Sequence, residues 1–118
     1  MSDDLIQQDF DECEEILRVG KARKDYIEAN CERIDIWREA AEAGDARAQV
    51  LYGLCHSYGS GVEEDLAEAF AWFEKAAAQG NAQGELSLGN AYLNGSGIDE
   101  DYSQSFHCFE KSASQGNA

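Results

Sequence analysis

The chain has 118 residues, room for one ordinary domain, and carries 24 Asp and Glu against 9 Lys and Arg, a formal net charge of -15. So acidic a surface repels phosphate and excludes nucleic acid and anionic membrane as default partners, while 43% hydrophobic residues argue against wholesale disorder. Proline is absent, so nothing breaks a helix from within, and 11 glycines supply the punctuation instead.

The chain opens on Met1, Ser2, Asp3 and Asp4, acidic and with no apolar run behind them. No secretory signal is visible there, and no stretch approaches the roughly eighteen apolar residues of a membrane span, so a cytoplasmic protein is expected. Ile6, Phe10, Cys13 and Leu17 step by four, three and four, a helical stripe, and Ile27, Cys31, Ile34 and Trp37 make a second. The four cysteines, Cys13, Cys31, Cys55 and Cys108, form no CxxC and share no spacing, which predicts small free thiols in a reducing compartment, with a disulfide pair as the alternative for a piece of an exported parent.

From residue 45 the chain repeats itself. Residues 45–80 and 81–116 align over 36 positions without a gap and share fourteen identities, where random pairing of this composition gives about two or three. Each block is written as two helices. Asp45 and Asn81 are N-caps for a first helix, and Gly59 and Gly95 stand where a left-handed stop belongs. Asp65 and Asp101 cap a second helix, with Glu68 and Gln104 three residues on as in a capping box, and Gly80 and Gly116 end it. The second glycine of each Gly-Ser-Gly triplet, Gly61 or Gly97, lets the chain reverse. Asn117 and Ala118 repeat Asn81 and Ala82, the start of a further unit.

Residue size gives the packing. Gly53 and Gly89 fall mid-helix, where glycine costs about 0.5–1 kcal/mol relative to alanine, so a neighbouring helix is expected to press close there. Phe70, Phe73 and Ala77, and one period later Phe106, Phe109 and Ala113, recur on one helix face. A single hairpin cannot bury such a face, so the hairpins must stack. Subtracting 36 lands Ile34, Trp37, Ala40, Ala41 and Gly44 on Phe70, Phe73, Ala76, Ala77 and Gly80, and Asp9 on Asp45. Residues 9–44 thus read as a degenerate repeat with Arg23, Lys24 and Asp25 in place of the Gly-Ser-Gly loop, the alternative being an independent dimerising helix pair. The expected organisation is a helical cap over 1–44, repeats over 45–80 and 81–116, and a truncated unit at 117–118.

Tyr52 with Gly53, Leu88 with Gly89, the GSGV and GSGI loops, Asp65 and Asp101, and the closing EKAAAQG and EKSASQG resemble the Sel-one-like repeat family. The resemblance implies an all-α, tetratricopeptide-like fold, a right-handed superhelix of stacked helix-turn-helix units. It also implies an adaptor or scaffold role in protein complexes, often in signalling. His56 departs from the family's usual tyrosine, seen here at Tyr92, and Cys108 stands opposite Trp72.

Chemistry is hard to find. There is no S-x-x-K nucleophile motif, although some cysteine-rich relatives are linked to β-lactam binding or hydrolysis, which leaves such an enzyme as a distant alternative. His107 and Cys108 are adjacent, and adjacent helical side chains point about 100° apart. His56 and His107 have no metal-ligand spacing, and the acid runs at 63–65 and 99–101 read as helix N-terminal acids. No catalytic residue, metal or cofactor is implied. What remains is the concave face of the first helices, with Arg47, Leu51, Leu54 and Tyr58 from one repeat and Gln83, Ser87, Asn90 and Asn94 from the next. These are the candidate residues for binding a protein or peptide, possibly a basic one given the charge. An architectural spacer is the alternative, and self-association through the C-terminal end is expected if its apolar face stays open.

Overall fold

The structure, a computed structural model, describes residues 2–18 and 27–114, with side chains described over 4–12 and 27–114. Helix α1 runs Ser2–Arg18, α2 Ile34–Glu42, α3 Ala46–Tyr58, α4 Leu66–Ala78, α5 Ala82–Asn94 and α6 Tyr102–Ser114, and no strand occurs among the described residues. Helices α3 and α4 pair as one hairpin and α5 and α6 as a second, α4 packs on α5 between them, and α1 and α2 close over α3.

The caps hold each hairpin in place. Asp45 accepts the amides of Arg47 and Ala48, and Asn81 accepts that of Gly84. Gly59 and Gly95 end α3 and α5 at φ 67° and 68°, in the left-handed region that glycine enters without penalty. Asp65 accepts the Glu68 amide at 3.0 Å and Asp101 the Gln104 amide at 3.1 Å. The expected capping box is only half made, because the Asp65 amide donates to the His56 carbonyl and the Asp101 amide to the Tyr92 carbonyl, each at 2.9 Å. Those two bonds tie the start of each second helix to the end of its first. Gly80 follows α4 with φ 80°, and Gly116 lies outside the described residues.

Gly53 and Gly89 clear space as their repetition implied. A Cβ on Gly53 would stand 2.7 Å from Cε1 of Phe73, and one on Gly89 the same distance from Cε1 of Phe109. Between hairpins, the Phe70 ring meets Tyr92 edge-on at 5.4 Å between centroids. Gly84 lets α5 approach the backbone of Ala76 and Ala77 on α4. Trp37, Val50, Leu51 and Cys55 form the centre of the core, and Cys108, one period after Trp72 in the sequence, is also buried.

The N-terminal third differs in detail from the register argument. Asp9 does not cap a helix. It lies inside α1, fully buried, pairs with Arg33 and accepts the Trp37 indole N–H at 2.8 Å. A buried carboxylate needs such partners, so Asp9 became a clamp between α1 and α2. The stripe from Ile27 to Trp37 is not one helix either. Residues 27–29 are helical, Asn30 turns, a 3-10 turn spans Cys31–Arg33, and α2 follows. Arg23, Lys24 and Asp25 lie outside the described residues. Even so, Gly61 packs on Cys31 and Ile34 much as Gly97 packs on Leu66 and Ala67, one period apart.

Candidate functional site

Aligning the two first helices shows where room is left. Leu51, Leu54, Cys55 and Tyr58 of α3 correspond to Ser87, Asn90, Ala91 and Asn94 of α5, so α5 has lost bulk along one face. Opposite that face stand the large rings of α4. The result is a groove of about 390 Å³ between the hairpins. Leu54, Ser57 and Tyr58 line it from α3, Leu66, Ala69, Phe70 and Phe73 from α4, and Ser87, Asn90, Ala91 and Asn94 from α5, with Ser96 at its loop end. Its floor is buried and apolar, made by Leu54, Ala69, Phe73 and Ala91. None of these lining side chains is charged.

Five of the eight residues singled out from sequence meet here: Leu54, Tyr58, Ser87, Asn90 and Asn94. The other three do not. Leu51 has no exposed surface and belongs to the core. Arg47 is half-buried and committed, held by the Asp45 carboxylate and donating to Oε1 of Gln7 at 2.7 Å. Gln83 is buried in α5, away from the groove, with its Oε1 unpartnered. Sequence reasoning missed the α4 wall because Phe70 and Phe73 were assigned wholly to hairpin stacking. The signal that could have found it is the drop in side-chain volume from α3 to α5 directly opposite those rings.

Asn90 and Asn94 stand one turn apart on α5, and neither side chain makes a hydrogen bond among the described residues. Each carboxamide offers a donor pair and an acceptor, the complement of a peptide group. At the loop end the backbone of Gly97 abuts the Leu66 carbonyl, which brings the loop of the second hairpin onto the start of α4. Two exposed acid runs flank this junction: Glu63, Glu64 and Asp65 just before Leu66, and Asp99, Glu100 and Asp101 just after the Gly97 turn. The Glu100 carboxylate engages the Tyr102 hydroxyl, and that bond raises the phenol above its ordinary value.

Cys108 and His56 are enclosed by their neighbours. Burial pushes the Cys108 thiol up, which disfavours the thiolate a nucleophile needs, and His107 beside it is exposed. Both ring nitrogens of His56 are buried without a hydrogen-bond partner, and its ring packs on Tyr52 at 4.7 Å. Among the described residues no group of three His, Cys, Asp or Glu could hold a metal, and no helix is long and apolar enough to cross a membrane.

A family model for the Sel1 repeat matches residues 46–81 and 82–117. Two crystal structures are similar. One, a Sel1 repeat protein from Oxalobacter formigenes, is 34% identical with a TM-score of 0.68, over 73% of this chain and 34% of that one. The other, a protective antigen present in uropathogenic Escherichia coli strains and displaying an SLR fold, is 30% identical with a TM-score of 0.71, over 95% of this chain and 23% of that one. The chain thus spans about a third and about a quarter of their lengths. No curated protein matches it.

Proposed function

The chain belongs to the Sel1 repeat family, and from that premise we propose that it is a non-catalytic protein-interaction module whose inter-hairpin groove receives a segment of a partner protein. Repeats of this family generally mediate protein interaction. The observation that carries the proposal is the groove itself: apolar on its floor, uncharged on its walls, and edged by two carboxamides that nothing else among the described residues uses. A spacer would have no reason to keep such a surface unfilled when Leu, Cys and Tyr fill the corresponding positions of α3. Selection of displayed random dodecapeptides on the immobilised chain tests this. Bound sequences are expected, and Ser57→Trp and Asn94→Trp, each filling the groove from its rim, are expected to abolish their binding while leaving the circular dichroism of the chain unchanged. Selection of no sequence, or binding indifferent to both tryptophans, would favour the spacer.

A second observation concerns the outer face of α6. Phe70 is 9% exposed under Tyr92, whereas its equivalent Phe106 is 66% exposed. We propose that this face accepts one further helix, from a following hairpin or from a second copy. Sedimentation across a concentration series, with Phe106→Ser as control, separates the two: association that Phe106→Ser removes supports the second copy, and a monomer of the 118-residue chain leaves the following hairpin. We also propose that residues 1–44 act as the capping degenerate repeat. The packing of Gly61 on Cys31 and Ile34, one period before that of Gly97 on Leu66, supports it.

A further inference from the structure

Resting on the reading that the groove is the binding site, the charge around it points to the chemistry of its occupant. The cavity, about 390 Å³, is at the small end of the range for ligand sites, roughly 300–1,000 Å³. It has room for one or two side chains and none for a folded element. Its apolar floor selects a large apolar side chain, and the Asn90 and Asn94 carboxamides can pair only with the main chain or a polar group beside it. Within the groove there is no charge to satisfy a charged anchor. At its loop end the situation reverses, because the acid runs at 63–65 and 99–101 are exposed there. No described Lys or Arg pairs with either run. Arg33 is taken by Asp9, Arg38 by Asp35 and Arg47 by Asp45, while Lys75 lies over the Trp72 ring and, like Lys111, occupies the last turn of its helix, the far end from the acid runs.

We propose that the groove takes an extended segment in which a large apolar side chain, seated against Phe70, Phe73 and Leu54, is followed or preceded within a few residues by lysine or arginine that reach the carboxylates at the loop end. The carboxylates supply steering and register, and the apolar pocket supplies most of the affinity.

Dodecapeptides enriched on the chain from the random library decide it. Their sequences are expected to carry a leucine or an aromatic residue close to one or more basic residues. Binding of the best of them, followed by fluorescence anisotropy, is expected to weaken roughly tenfold in the triple variant Glu63→Gln, Glu64→Gln, Asp99→Asn and to lose most of its salt dependence there. That variant leaves the caps Asp65 and Asp101 in place, so the fold is not at stake. Groove-dependent peptides that lack basic residues, or bind the triple variant equally well, overturn this proposal and leave the interaction module standing. Failure to select any groove-dependent peptide overturns both.

Discussion

Gly84 is where the helix-on-helix contact of α5 with α4 is most exposed to a single methyl group. A Cβ built there would lie 2.8 Å from the Ala76 Cβ, 2.9 Å from the Ala77 nitrogen and 3.0 Å from the Ala76 carbonyl carbon. Ordinary contact begins near 3.4 Å, so α4 and α5 must part by about 0.6 Å, and the obstacle includes main chain that no rotamer change removes. Overpacking of this kind costs about 1–3 kcal/mol, against a gain of up to about 1 kcal/mol from alanine's helix propensity. Gly84→Ala is therefore expected to lose about 1–2 kcal/mol, a fall of about 1 M in the urea midpoint at an m-value near 1.5 kcal/mol/M. Gly89→Ala is the control. Its methyl meets the ring edge of Phe109, which is only half-buried and can swing outward, and the Cys108 Cβ at 3.2 Å, which needs to give by only a few tenths of an ångström, so the midpoint is expected to stay within about 0.5 M. A Gly84→Ala midpoint at or above that of the parent would refute the reasoning, because propensity would then outweigh the contact.

Three further outcomes are expected. Gly97→Ala adds a clash with the Leu66 carbonyl to a left-handed φ of 78°, whereas Gly80→Ala, at φ 80°, meets nothing within 4 Å; the first is expected to cost at least about 2 kcal/mol and the second about 1, and equal urea midpoints would contradict this. Asp9→Ala leaves the Trp37 N–H and the Arg33 guanidinium without their acceptor and is expected to cost about 2–4 kcal/mol in chemical denaturation, with an accompanying change in tryptophan emission; a loss under about 0.5 kcal/mol would mean that water replaces the carboxylate freely. The Asp45 carboxyl is held below its ordinary value of 3.8, chiefly by its hydrogen bond from Arg47. Because the folded value is the lower one, its contribution is intact above about pH 4 and is lost as pH falls further. Asp45→Asn, which still caps α3, is expected to flatten the acid limb of a stability-against-pH curve, and an unaltered limb would count against the pairing.

The parts of the fold that were legible in the sequence are those set by local geometry repeated at one period. Asp45 and Asn81, Gly59 and Gly95, and Asp65 and Asp101 each act through their own backbone neighbours, so their roles could be read from spacing alone. Gly53 and Gly89 were legible because a helix tolerates glycine poorly and the same exception occurs twice. Gly84 was not, since its equivalent is Ala48 and the closer approach of α5 to α4 belongs to that joint alone. Asp9 misled because register assigns a position and not a partner; Arg33 and Trp37 come together with it only in the tertiary fold. The groove was half legible. Leu54, Tyr58, Ser87, Asn90 and Asn94 followed from the solenoid's geometry, but Leu51 was drawn into the core and Arg47 into a cap, and the α4 wall appears only once the volumes of α3 and α5 are compared.

The central claim is that the space between the hairpins is where a partner binds, and amide chemical-shift mapping tests it most directly. Titrating the isotope-labelled chain with the best library peptide is expected to move amides of 54–58, 66–73 and 87–96, with Asn90 and Asn94 side-chain amides among them, and to leave α1 and the outer face of α6 still. Shifts confined to α1, or to Tyr102, Phe106 and their neighbours on α6, would contradict it.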